Sequence, residues 1–418
     1  MSVLKAAPDR KIESPGSPSQ AAGLRTKPVE AALLTGGTDR HYAYGLAMSL
    51  ASSGVCLDVV GGADIDGPEM RSTSGLTYLS LRKGWPPGAR LPEKIASLAA
   101  YYIRLIAYAW TARPKIFHIL WNNRFELIDR TLLMLYYKSL GKKIAFTAHN
   151  VNAGRRDSND SLLNRLTLRV QYRLADKIFV HTARMKHELI ESFGVREQAV
   201  TVIPYGINNA VPCTSLTPAE AKEQLGISKD EKTILFFGNL RASKGLEFLV
   251  RAFQRISSID ARYRLIIAGR RLKGYEEYWA QIEPEISSLV RRGRITLKAD
   301  FIPDEEVELY FKAADVLALP YTEIFQSGVL FLGLSFGVPV IATDVGSLRE
   351  EIVEGRTGYV CKPRDAVDLA RAIETYFESK LFKNLDSRRN EIQDYANASH
   401  SWDSVAEITH RAYSSLAG

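Results

Sequence analysis

At 418 residues, 46% of them hydrophobic and 24% charged, the chain is too long for one ordinary core and too apolar to stay unfolded. Lys and Arg number 55 against 47 Asp and Glu, a net charge of +8 that suits an anionic ligand or an anionic membrane surface. That surplus is not the dense basic stripe of a nucleic-acid binder, and no nucleic-acid motif is present.

Cys56, Cys213 and Cys361 lie far apart and read as thiols of a reducing cytosol, with neither a disulfide nor a zinc spacing. Residues 1–26 are polar and rich in Pro and Ser, the composition of a disordered tail without the apolar core of a signal peptide. No uninterrupted apolar run is long enough for a membrane span, so a cytoplasmic protein is expected.

Ala31–Thr35 reads as a first strand, followed by Gly36-Gly37, a helix carrying Tyr42, Leu46 and Leu50, and a second strand at Val55–Val60. The paired glycines either let a ligand approach the backbone or make a tight turn. Their spacing is not G-x-G-x-x-G, which speaks against a nicotinamide oxidoreductase. A strand at Thr77–Leu81 leads into a basic Pro/Gly loop with Trp85, then a helix over Glu93–Ala112 with an aromatic stripe. Loop and helix read as a membrane-surface or lipid-acceptor site, or as a core helix packed on a sheet. Ile116–Trp121 and Lys143–Ala148 are buried strands around a helix at Asp129–Leu140. The second ends in His149-Asn150, where a histidine would face the ligand crevice and reach a substrate hydroxyl. A helix to Ala175, a strand at Lys177–His181, a helix at Ala183–Ser192 and a strand at Val200–Ile203 end on the turn Pro204–Asn208. Residues 27–209 thus read as one Rossmann-like domain, and 210–230, with a helix at Pro218–Leu225, as a linker.

The second domain, 231–396, opens on KTILFFGNLRASKGLEFLVRAF, Lys232–Phe253. Its strand ends at Gly238 and its helix starts at Gly245, with Arg241 and Lys244 between them, where helix amides attract anions. A planar guanidinium fork and a point-charge ammonium there suit a diphosphate; the plain alternative is two solvated loop residues. Strands 264–268, 294–298, 315–319 and 338–342 and one around Gly358–Val360 alternate with helices, including 304–313, 328–336 and 347–353, a second doubly wound α/β domain. A last helix, Trp402–Leu416, falls in residues 397–418. Two such domains leave a cleft between them for a small ligand.

With these residues in place, the chain after about Lys27 resembles the GT-B glycosyltransferases of family GT4, retaining enzymes that use nucleotide-sugar donors. FGNLRASKG is similar to the family's Gly-x-x-Arg-x-x-Lys-Gly loop, which implies that Arg241 and Lys244 grip the donor diphosphate beside Gly238. LIIAG, ending at Gly269, resembles the next strand and glycine turn, and the backbone around Ile302 is implied to hold the nucleobase. TAHN implies that His149, with Asn150 beside it, contacts the donor sugar. SWDSVAEITHRAY resembles the helix that crosses back onto the first domain.

One departure stands out. Aligned on Gly337-Val338-Pro339, Ile324 and Leu332 occupy the positions where the family carries two Glu residues. A one-residue shift would let Glu323 replace the first; nothing replaces the second. The loop reads instead Gln326-Ser327-Gly328, a version that recurs among GT4-like sequences, and the amides of Ser327, Gly328 and Val329 at a helix start become diphosphate contacts. The resemblance implies transfer to a glycan or lipid-linked saccharide in polysaccharide or glycolipid synthesis, with peripheral membrane contact, no cofactor and no metal. The missing carboxylates leave a nucleotide-sugar-binding protein without turnover as the rival.

Overall fold

The computed structural model describes residues 29–418 apart from 38, 63, 64, 83, 85–87, 89, 157–159 and 208–210. The expected tail, Trp85 with its neighbouring prolines, and Asn208 therefore lie outside the described residues. In chain order the first domain contains β1 (Glu30–Leu34), α1 (Arg40–Ser52), β2 (Cys56–Gly62), α2 (Pro68–Ser72), β3 (Leu76–Arg82), α3 (Leu91–Thr111) and β4 (Ile116–Ile119). It continues through α4 (Leu133–Ser139), β5 (Lys143–Thr147), α5 (Ala153–Arg156), α6 (Leu162–Leu174), β6 (Lys177–Val180), α7 (Ala183–Phe193) and β7 (Val200–Val202). After α8 (Pro218–Gln224), the second contains β8 (Lys232–Phe237), α9 (Leu246–Ile259), β9 (Tyr263–Ala268), α10 (Glu276–Arg291), β10 (Ile295–Lys298), α11 (Asp304–Ala313) and β11 (Val316–Leu319). It closes with α12 (Gly328–Ser335), β12 (Val340–Thr343), β13 (Gly358–Cys361), α13 (Ala366–Glu378), α14 (Lys380–Lys383), α15 (Leu385–Ser399) and α16 (Trp402–Ala417).

All pairings are parallel, in the orders β3-β2-β1-β4-β5-β6-β7 and β10-β9-β8-β11-β12-β13. Central strands such as β4 and β11 are buried at every position, which is why they read as unbroken apolar runs. In both sheets the order reverses once, between β1 and β4 and between β8 and β11, and the crevice outside the strand ends opens there. The two doubly wound sheets face each other across a cleft, as expected.

The first sheet has two covered faces. Tyr102 and Leu105 of α3, Met134 and Tyr137 of α4, and Leu168 and Tyr172 of α6 pack on one of them. On the other, Leu46 of α1 packs with Val405, Ala406 and Tyr413 of α16, so the last helix is built into the first domain. His118, fully buried on β4, fixes it there: Nδ1 lies 2.6 Å from Tyr413 Oη and Nε2 2.7 Å from Thr147 Oγ1.

Some expected boundaries move. The strand expected at Ile116–Trp121 pairs only through Ile119, which releases Trp121 into the crevice. The helix expected at 347–353 is a single 3-10 turn, Leu348–Glu351. The polar helix α15 was not expected as an element.

Candidate active site

Chain segments leaving the strand ends of both sheets converge on a cleft of about 660 Å³. After β1, Asp39 caps α1 by accepting from the Tyr42 amide at 3.0 Å, which turns Arg40, His41 and Tyr42 toward the cleft. Trp121 after β4 and His149-Asn150 after β5 form the same wall. From the second domain come Arg241 and Lys244 after β8, and Gln326, Ser327, Gly328 and Val329 at the start of α12.

Arg241 and Lys244 bracket a 3-10 turn, Ala242–Lys244, stitched to the end of β11 by the Thr322 amide, which donates to the Ser243 carbonyl at 3.0 Å. Lys244 is buried, with its ammonium 3.6 Å from the centroid of the Tyr321 ring. An ammonium over an aromatic face is attracted by the negative face of the ring. Tyr321 Oη is 3.2 Å from Ser327 Oγ, so the ring also joins this turn to the N-terminus of α12. Two basic side chains and the amide end of a helix thus share one wall, a constellation complementary to a diphosphate.

His149 stands opposite, in an aromatic setting. Its ring lies parallel to the Trp121 indole at 4.1 Å, meets Tyr42 edge-on at 4.6 Å, and has Nδ1 3.0 Å from His181 Nε2. Burial, helped by the neighbouring His181 and His118, holds its pKa well below the ordinary range. Burial takes His181 down to about 4, against backbone hydrogen bonds at Ile203 and Pro204 that raise it, and burial alone takes His118 to about 3. All three are neutral at pH 7, so His149 can serve a sugar hydroxyl as a hydrogen-bonding ring rather than as a cation.

A pH dependence follows. In an unfolded chain these rings protonate near 6.5, whereas the folded protein refuses the proton down to about 4 at His181 and about 3 at His118. Their stabilising contribution is complete above about pH 7 and falls as the pH drops from 6.5 toward 4, by about 1.4 kcal/mol per pH unit per histidine. Urea unfolding at several pH values should show this decline, and His118→Gln should lessen its slope by one histidine's share.

Not every sequence-predicted residue reaches the cleft. Gly36 and Gly37 sit behind its wall, the Gly36 carbonyl accepting from Arg82 Nη1 at 3.1 Å. Gly238 and Gly269 support it from beneath: a Cβ on Gly269 would lie 1.8 Å from the Gly238 carbonyl oxygen, so they let adjacent strand ends pass. Ile302 is buried in the second core while Phe301 beside it reaches the opening. Glu323 is exposed and is not among the side chains lining the cleft. These six positions are not among the residues lining the cleft, and the role the resemblance gives the segment around Ile302 belongs to its backbone. Ile324 and Leu332 do line the cleft, so apolar surface occupies the places where the resemblance would put carboxylates.

Sequence reading missed the parts supplied across domains. Arg40 pairs with Asp304, and His41 Nε2 lies 3.0 Å from the same carboxylate, tying α1 to α11 across the opening. Tyr205 stacks on Phe331 of α12 at 5.1 Å, and its hydroxyl donates to Asp39 at 3.2 Å. Trp402 donates from Nε1 to the Ile207 carbonyl at 2.9 Å and packs edge-on against Tyr42. Behind the α12 loop, Glu351 accepts from Gln326 Nε2 at 3.3 Å and lies 3.2 Å from His400 Nε2. The available signal was Gly45 and Gly206, where any Cβ would strike the Trp402 ring at 2.3 and 2.5 Å. Among the described residues no three His, Cys, Asp or Glu side chains gather into a metal-ligating group.

The family described as Glycosyl transferases group 1 matches residues 218–398, and Glycosyltransferase Family 4 matches residues 35–211. A relative from Corynebacterium diphtheriae named D-inositol 3-phosphate glycosyltransferase is 26% identical over 401 residues, spanning 90% of this chain and 89% of its own. Among solved structures, sucrose-phosphate synthase from Thermosynechococcus elongatus overlays with a TM-score of 0.72 at 19% identity, over 93% of this chain and 99% of that one. HepE from Anabaena, in complex with UDP and glucose, overlays with a TM-score of 0.71 at 16% identity, over 93% of this chain and 100% of that one. Likeness at these identities establishes the fold.

Proposed function

We propose that this chain, which belongs to the GT-B glycosyltransferases of the group 1 and family 4 type, transfers a sugar from a nucleotide donor with retention of anomeric configuration. The acceptor is a glycan or lipid-linked saccharide in surface polysaccharide or glycolipid synthesis, met at the cytoplasmic face of a membrane. The observation that carries this reading is the convergence of Arg241, Lys244 and the α12 N-terminus on one wall, with neutral His149 on the other. It is supported by the named activity of the Corynebacterium relative and by the UDP and glucose in HepE.

In the step itself, the bond from the anomeric carbon to the diphosphate oxygen breaks and its electron pair leaves with the nucleotide. The acceptor hydroxyl oxygen bonds to the same face of that carbon, and its proton passes to the departing phosphate. Negative charge grows on the leaving group, so the cations and amides already aimed there stabilise the transition state more than the ground state. With that charge met by Arg241 and Lys244, the reading calls for no metal and no cofactor. His149 would hold a sugar hydroxyl, and the Arg40–Asp304 bridge would help to keep the domains closed around the reactants.

The rival reading, nucleotide-sugar binding without turnover, is favoured by one observation: Ile324 and Leu332 present no carboxylate to the cleft. Transfer assays with panels of UDP- and GDP-sugars and saccharide acceptors, read by NMR at the new anomeric centre, separate the two. Retained configuration in a formed product is expected; nucleotide binding with no product supports the rival. In the same assay His149→Ala should lose discrimination among donor sugars, by about tenfold or more, while nucleotide affinity stays near wild type. Unchanged sugar preference would remove His149 from the site.

A further inference from the structure

The first domain's outer helical layer is not finished as a soluble surface. Among the described residues, 13 of the 19 exposed large hydrophobic side chains fall between Leu91 and Val170, on α3, on α4 with the turn before it, and on α6. These helices are neighbours on one face of the sheet. Tyr136 of α4 donates to the Ile106 carbonyl of α3 at 3.1 Å, and Arg130, just before α4, donates to Asn164 of α6 at 2.8 Å.

On α3, Ile95, Ile103, Ile106 and Trp110 recur at helical spacing along the side away from the core, with Ile103 67% and Trp110 71% exposed. The opposite side of the same helix buries Tyr101, Tyr102 and Leu105, so the helix packs on the sheet and also presents an apolar outer stripe. Leu132 just before α4 and Leu135 on it extend the stripe, as do Leu162, Leu166 and Val170 on α6. Beside that last row runs another of Arg165, Arg169 and Arg173, one helical turn apart.

Charge follows the same stretch. Residues 91–174 hold 14 Lys and Arg against five Asp and Glu, a surplus of nine, whereas the whole chain has only +8. Apolar side chains amid arginines complement the acyl boundary and phosphate layer of an anionic bilayer. A second copy seated here by two-fold symmetry would bring the exposed row Arg165, Arg169 and Arg173 against its own like. No described helix is long and apolar enough to cross a membrane, which leaves a surface that lies on one.

From this we propose that the α3–α4–α6 layer is a bilayer-docking face selective for anionic lipid. The inference deepens the acceptor reading above and rests on it for its purpose. In each βαβ unit the helix starts at the strand's carboxyl end, so Leu91 and Leu162, at the first turns of α3 and α6, lie toward the cleft end of the sheet. An acceptor anchored in the docked bilayer would approach the cleft from that edge.

Flotation of the full-length protein tests the proposal, with vesicles of equimolar phosphatidylglycerol and phosphatidylcholine against vesicles of phosphatidylcholine alone. Wild type is expected to float with the anionic vesicles and not the neutral ones. Ile103→Ser with Trp110→Ser, and separately Arg165→Gln with Arg169→Gln and Arg173→Gln, should each lower the partition by more than about tenfold. Both variants change exposed side chains and should keep the wild-type melting temperature and its shift with nucleotide. Equal partition of wild type and the arginine variant, or no anionic binding by wild type, overturns the proposal. So does a lipid-free dimer that both variants dissolve. If wild type floats as expected but no nucleotide stabilises it, the docking face stands and the glycosyltransfer reading fails.

Discussion

Lys244→Ala is expected to lower kcat/KM for transfer by well over tenfold, a loss above about 1.4 kcal/mol at the transition state. The ammonium is buried on the Tyr321 ring, where bulk water has little access to replace it. Tyr321 in turn touches Ser327 at the start of α12, so the charge and the helix amides act on one place. Arg241→Ala should fall by a similar factor, since a planar fork can follow two phosphate oxygens as charge builds between ground and transition state. The check is steady-state kinetics on both variants with the donor that wild type accepts. Near-normal rates in both would remove the diphosphate assignment.

The second large effect is expected at Gly245, the residue that lets this loop exist. Its φ is +64°, and a Cβ there would lie 2.0 Å from the Pro320 carbonyl oxygen. Gly245→Ala therefore adds left-handed strain of about 1–3 kcal/mol and forces backbone against backbone, which no side-chain rotation relieves. Because Lys244 is its direct neighbour, the same shift moves the ammonium off Tyr321. A drop in melting temperature together with lost transfer is expected. Unfolding that matches wild type in denaturant titration would contradict the packing described here.

Much of the architecture was legible because it rests on local pattern. Lys232–Phe237 is a buried strand of a parallel sheet, and an unbroken apolar run marks such strands wherever they occur. Arg241, Lys244 and His149 could be singled out because each follows a strand end in a doubly wound order, where sequence position is spatial position. What was not legible depends on distance along the chain. Trp402 reaches the Tyr42 cluster only because α16 returns across the molecule, and Asp304 meets Arg40 only when the domains face each other. The helix Leu385–Ser399 escaped notice because its sequence, LDSRRNEIQDYANAS, has few apolar residues to show a period. The segment around Ile302 was recognisable, but that Phe301 is the side chain reaching the cleft depends on how the turn before α11 is placed.

Arg241, Lys244 and the start of α12 are proposed to hold a nucleoside diphosphate between them. Thermal-shift titration of wild type and Lys244→Ala with UDP, GDP and ADP, with and without chelator, tests it most directly. One nucleotide is expected to stabilise wild type, by roughly 2.7 kcal/mol at about a hundred times its dissociation constant. That shift should survive chelation and shrink markedly in Lys244→Ala. No stabilisation of wild type by any of the three, or an equal shift in the variant, would contradict the claim.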